Sequence, residues 1–268
     1  MVLQTPQQGK SWLQKIIPMA TLIASLQRWR ADRGLAHVAP LVAFQVLHML
    51  TMTATRHPAL PWYTRAPEQW VYPLQTVICG LMVLWWWPRY ECRRLRLPDI
   101  GWALGAGLLG IALWILPCEV FYRAGLADES VGIWKYFGVQ SRETGFDPAD
   151  APWPWAALVF RFVRMVLVVA IIEEVFWRGF LMRWLVNPDG NIWRTPFGTH
   201  HVRALVGTVG AVVLVHQPAD YAAAFIWGLL LYGIAVRTKS LAACILAHAV
   251  ANLVLGIYVM QTGRYGFW

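Results

Sequence analysis

Charge is what this sequence has least of. Only 14% of its 268 residues are Asp, Glu, Lys or Arg, against roughly 25% in soluble globular domains. With 58% hydrophobic residues and a mean hydropathy of +0.46, that shortage excludes an ordinary soluble domain and points to a polytopic membrane protein. Cysteine is scarce too. Cys79, Cys92, Cys118 and Cys244 are scattered with no C-x-x-C pair, so neither a disulfide framework nor a thiolate zinc site is suggested. There is no H-E-x-x-H, no internal repeat and no separate soluble domain. The formal charge of +9 does not argue for a nucleic-acid partner, because most basic residues sit beside apolar runs, where membrane orientation uses them. Many of the 17 Trp stand where apolar runs end, as an interfacial belt places them.

What is there is apolar length. The pattern predicts an all-α fold, a polytopic transmembrane helix bundle of about seven spans plus an N-terminal interfacial helix. Trp12, Leu13, Ile16, Ile17, Ala20, Ile23 and Leu26 recur at helical spacing between Lys10 and Arg30, which suits a helix lying in the membrane surface. Lys15 and Pro18 break any signal-peptide core. The spans are expected over about 36–54, 71–87, 100–121, 162–184, 204–216, 221–236 and 241–260, the fifth being short and ending at Pro218. Gly101, Gly105, Gly107 and Gly110 in the third read as close helix packing. Three regions follow: 1–35 (polar segment and interfacial helix), 36–154 (N-terminal spans and a long polar loop) and 155–268 (a C-terminal membrane core).

Of the 23 Lys and Arg, this topology puts fourteen on the side of the N-terminus, eight on the other and Arg178 within the membrane. The asymmetry predicts an integral protein of the cytoplasmic (inner) membrane with its N-terminus in. The connection from Tyr122 to Trp155 carries Glu143, Asp147 and Asp150 and reads either as a functional lid or as a plain surface excursion.

Within the fourth span stands Glu173-Glu174-Val-Phe-Trp-Arg178. Charges in a span are costly and are functional candidates by default. Glu174 and Arg178 are four apart, share a helix face and can pair as a structural ion pair. Glu173 then points about 100° away, free for proton chemistry. His216 ends the fifth span, and His248 and Asn252 share a face of the seventh. Counted at about 1.5 Å per residue from the N-terminal side, Glu173 lies roughly 16 Å deep, His216 roughly 18 Å and His248 roughly 10 Å. The three are therefore expected in one layer, around a cavity reached from the cytoplasmic side. Read as residues alone, the cluster also allows an ion-paired packing motif, a proton-relay transporter, or a zinc site of Glu173, His216 and His248.

Glu-Glu-x-x-x-Arg, a histidine, and His-x-x-x-Asn on successive helices resemble the CAAX prenyl protease and bacteriocin-processing (CPBP, Abi) family of intramembrane endopeptidases, over about residues 155–260. The family's second motif opens with Phe where this chain has Val212, which removes an aromatic wall. The N-terminal half resembles, more loosely, the exosortase-associated branch of CAAX-protease-related proteins. The resemblance implies glutamate-dependent hydrolysis of a membrane-associated or lipid-anchored peptide, with no cofactor and zinc as the alternative. Glu173 would then be the general base, His216 would position water or shuttle a proton, and His248 and Asn252 would donate to the oxyanion. The expected partners are that peptide and the lipid bilayer, not nucleic acid. A non-catalytic scaffold or immunity-type protein of the same fold stays open, and the oligomeric state is unknown from sequence.

Overall fold

The computed structural model describes residues 19–52, 59–127 and 132–268. Its longer elements are α1 (Met19–Ala31), α2 (Arg33–Met52), α3 (Trp62–Arg65), α4 (Glu68–Trp86), α5 (Leu97–Arg123), α6 (Pro154–Val186), α7 (Val202–Leu214), α8 (Tyr221–Thr238) and α9 (Leu241–Thr262). No strand occurs among the described residues. Six of these helices (α2, α4, α5, α6, α8 and α9) are long and apolar enough to cross a membrane, so the helical-bundle expectation holds. The fifth expected span, α7, has only 13 residues, about 20 Å at 1.5 Å per residue, and stops short of a roughly 30 Å hydrocarbon layer.

Side chains on the outside of the bundle are apolar rather than charged. On α5, Leu104, Leu108, Leu109, Leu116 and Val120 are all exposed, a surface that lipid satisfies and water does not. On α1, Ile23, Leu26 and Trp29 are likewise uncovered, as an interfacial helix requires. The first half of that expected helix lies outside the described residues.

Helix α6 is the centre of the packing. It begins at Pro154, whose fixed φ and missing N–H suit a first helical position, and it runs 33 residues. One side meets α2 and α4 through Val168, Ile172 and Val175, with Ala36, Leu41, Phe44 and Val83 opposite. The other side meets α9, which itself lies along α5. The packing of α5 against α9 and α8 needs glycine. A Cβ on Gly107 would stand 2.6 Å from the Ala247 carbonyl oxygen, and one on Gly110 2.5 Å from the Trp227 ring, whereas Gly101 and Gly105 face open space. Close packing is thus the reason for two of the four glycines.

Polar staples mark the two ends of the bundle. At one end Arg33 and Arg183 both donate to Glu91, and Lys239 Nζ donates to the Gly198 carbonyl at 2.6 Å. Partial burial opposes ionisation of Glu91, but the hydrogen bonds and charges of Arg183 and Arg33 outweigh it and hold the carboxyl below its ordinary range. At the opposite end the long connection and the C-terminal tail fold onto the bundle. Arg142 pairs with buried Asp220 at 2.5 Å, Gly266 N–H donates to the Arg142 carbonyl at 2.8 Å, and Trp268 Nε1 donates to the Phe146 carbonyl at 2.9 Å. The connection is therefore a docked cap rather than a free excursion.

The glycine contacts give a direct test. Gly107→Ala is expected to lower stability by about 1–3 kcal/mol, the usual range for overpacking. Gly101→Ala should be neutral or slightly stabilising. Thermal unfolding of the two purified variants in detergent checks the difference, and equal midpoints would refute the close-packing reading.

Candidate active site

The carboxylate at the heart of the bundle is Glu174. It is fully buried, and one of its oxygens, Oε1, serves two partners: Arg178 Nη1 at 3.0 Å one turn along α6, and His248 Nδ1 at 2.8 Å across on α9. Its neighbour Glu173 is only partly buried and lines a cavity of about 280 Å³. His216, His248 and Asn252 line the same cavity. The four expected catalytic side chains therefore share one space, and the expected structural pair stands beside it.

Each group is held by an identifiable contact. His216 sits just beyond the end of α7, its Nδ1 2.6 Å from the Val212 carbonyl and its ring edge-on to Trp114, with centroids 5.2 Å apart. Only Nδ1–H can serve a carbonyl acceptor, so Nε2 is the ring atom left for chemistry. The same logic applies to His248, whose Nδ1 faces the Glu174 carboxylate and whose ring lies edge-on to Trp227 at 5.5 Å. Asn252 Nδ2 donates to the Met165 carbonyl at 2.6 Å. Met165 lies in a π-helical stretch of α6, Val163–Val169, and a second such stretch, Val175–Leu181, follows the glutamates. Such widened turns leave carbonyls available to side chains and are common at functional sites.

The cavity depends on α7 being short. The chain leaves α7 at Leu214 and turns through Pro218–Asp220 into α8, leaving space beneath the turn. The lining runs from Glu173 and His248 to Asp220, Phe267 and Trp268, which belong to the end carrying the C-terminus. None of Arg33, Glu91, Arg183 or Lys239 touches it. The sequence reading expected access from the cytoplasmic, N-terminal side, whereas these lining residues lie toward the opposite end.

Residues 154–254 match the family model described as type II CAAX prenyl endopeptidase Rce1-like. This segment is Rce1-like. No curated protein and no solved structure matches the chain. With six membrane-length apolar helices and this domain, the chain is an integral membrane protein. The Rce1-like segment begins with α6, takes in α7 and α8 and reaches into α9. It contains Glu173, Glu174, Arg178, His216, His248 and Asn252. It does not contain Phe44 or Trp114, which line the cavity from α2 and α5. Trp114 lines the cavity and meets the His216 ring edge-on, and Val212, itself buried, gives its carbonyl to His216.

Two lining residues escaped the sequence reading. Arg161 and Arg164 fell among the flanking charges of the outer side, yet both are buried within α6 and line the cavity. Arg164 Nε donates to Gln75 Oε1 at 2.7 Å, and Gln75 Nε2 donates to the Phe44 carbonyl at 2.8 Å. The other polar candidates have structural roles away from the site. Glu119 is pinned by Tyr258, Arg123 and Arg264, His200 meets the Tyr232 hydroxyl, and His201 caps α7. His57 lies outside the described residues. Among the described residues no three His, Cys, Asp or Glu side chains are arranged to hold a metal ion.

The two adjacent glutamates are expected to separate in experiment. Arg178→Met would strand the buried Glu174 charge, and removing one partner of such a pair costs about 3–5 kcal/mol. A fall of that size in unfolding free energy is expected for Arg178→Met, with little change for Glu173→Gln. Equal loss from both would contradict the division between structural pair and cavity carboxylate.

Proposed function

We propose that the chain is an intramembrane endopeptidase that hydrolyses a peptide bond of a membrane-associated substrate with water activated by Glu173. The observation that carries this reading is the cavity shared by Glu173, His216, His248 and Asn252 within an Rce1-like segment. Glu174 is committed to Arg178 and His248, so Glu173 is the carboxylate with freedom to take a proton. As general base it removes a proton from water while the oxygen attacks the scissile carbonyl. His216 Nε2 accepts a hydrogen bond from the same water and orients it for attack. Asn252 has a second N–H besides the one given to Met165, and this donates to the developing oxyanion. His248 donates there through Nε2 when its ring carries both protons, with Nδ1–H held by Glu174. Collapse of the tetrahedral intermediate breaks the C–N bond, and the proton taken from water leaves on the amine.

This assignment predicts that Glu173→Gln inserts and folds normally but loses at least about a hundredfold in rate, the usual worth of a general base. Asn252→Ala is expected to lose a comparable factor, the usual worth of an oxyanion donor. Quantitative mass spectrometry of membrane peptides from cells with wild-type or Glu173→Gln protein identifies the substrate and measures the effect. A chelator such as EDTA should leave the purified activity unchanged, and its abolition would transfer the mechanism to a metal. An unchanged cellular phenotype after joint substitution of Glu173, His216 and His248 would instead favour a non-catalytic scaffold.

A further inference from the structure

Helices α5 and α8 carry an apolar groove on their outer side that shares no lining residue with the cavity of Glu173. It holds about 610 Å³, against about 280 Å³ for that cavity. Gly105 and Leu109 of α5 and Leu229 and Gly233 of α8 line it, and all four are exposed. A Cβ on Gly105 or Gly233 would meet nothing within 4 Å, so the groove is open down to the backbone of both helices. It ends at Trp102 and Arg237, the guanidinium standing 5.7 Å from the indole centroid. Arg237 lies in the last turn of α8 and Trp102 in the second turn of α5, at the level where helices leave a bilayer and indoles usually stand. From there the groove runs inward over seven to eight helical residues, about 10–12 Å at 1.5 Å per residue.

Charge at this end is one-sided. Arg237 is exposed and, among the described residues, has no carboxylate partner. Arg93 and Arg96 share the single carboxylate of Asp99, at 2.9 and 3.1 Å, and Arg93 Nη2 also donates to the Thr238 carbonyl at 3.0 Å, next to Arg237. Three guanidiniums therefore stand against one carboxylate. Basic pockets between membrane helices at headgroup level suit anionic lipids, and a guanidinium matches phosphate in shape and charge. The apolar length calls for a chain as well, because a gap beside lipid forfeits dispersion contacts along its walls.

We propose that the groove between α5 and α8 seats an anionic glycerophospholipid, its phosphate on Arg237 and an acyl chain along Gly105 and Gly233. A second copy of the chain fits worse. A two-fold contact sets a patch on itself, where two concave faces leave each other unfilled and two cationic rims repel. Seated there, the lipid bridges the helices that bring Trp114 and Trp227 to the rings of His216 and His248. The proposal does not depend on the peptidase reading.

The test is native mass spectrometry of the full-length protein in detergent, titrated with phosphatidylglycerol or phosphatidylcholine of the same acyl chains. Phosphatidylglycerol is expected to bind about fivefold tighter, the worth of one arginine to an anionic lipid. Arg237→Gln should erase that preference, and Arg237→Lys should restore part of it. Gly105→Leu, whose side chain enters open space, should weaken both lipids several-fold by filling the groove. Arg237 is exposed, so its variants fold and decide the question where Gly105→Leu fails to insert. Equal binding of the two lipids, a preference that survives Arg237→Gln, or unaltered lipid binding by folded Gly105→Leu protein would each overturn the proposal. Displacement of phosphatidylglycerol by glycerol 3-phosphate would assign Arg237 to free phosphate esters and overturn it too. Tighter binding of farnesol that Gly105→Leu abolishes would give the groove to an isoprenoid, and a dimer that Gly105→Leu dissociates would give it to a second copy. Either result would overturn the proposal.

Discussion

The structure turns on one oxygen atom. Glu174 Oε1 receives both Arg178 and His248, so a single buried acceptor ties α6 to α9 and fixes which ring nitrogen of His248 looks into the cavity. The pair is not well satisfied. Among the described residues, Glu174 Oε2 and the Nε and Nη2 atoms of Arg178 lack hydrogen-bond partners. Buried ion pairs often contribute no more stability than apolar residues of the same shape, and an incompletely bonded pair contributes less still. Its physical effect is therefore positional. It uses up one of two adjacent carboxylates, so that the other, one residue earlier and about 100° around the helix, meets the cavity unpaired.

The remaining parts of the site follow from how α6 is surrounded. On one flank α9 approaches closely enough for Asn252 to reach the Met165 carbonyl, in a stretch where π winding alters the ladder. On the other flank α2 and α4 lie outside the Rce1-like segment, yet Phe44, Tyr72 and Gln75 on these helices hold Arg164. The N-terminal half is thus part of the site rather than a membrane anchor for it. The turn that follows α7 contributes His216 at the edge of the cavity.

Element type was legible in the sequence because long apolar runs in a chain with so little charge have few alternatives, and α2, α4, α5, α8 and α9 lie within a few residues of their expected bounds. The division between Glu173 and Glu174 was legible because a spacing of four is a helical face. Arg161 and Arg164 were not, for a specific reason. A span is expected to take about 20 residues, so one centred on the glutamates begins near Phe162 and leaves the arginines outside. In the structure α6 starts at Pro154 and both become internal. Trp114, Tyr72 and Gln75 carry no local signal, because their roles arise only when α4 and α5 are placed against α6, α7 and α9.

Hydrolysis inside a bilayer needs water. Water occupies a cavity of about 280 Å³ only where polar partners line it. Glu173, His216 and Asn252 are polar groups of that kind. Arg161 and Arg164 stand on the same helix, nine to twelve residues before Glu173, and the rings of Phe44, Tyr72 and Trp268 offset part of the cost of burying them. Because all three charged side chains belong to one element, their spacing along the cavity is set by backbone geometry rather than by loops.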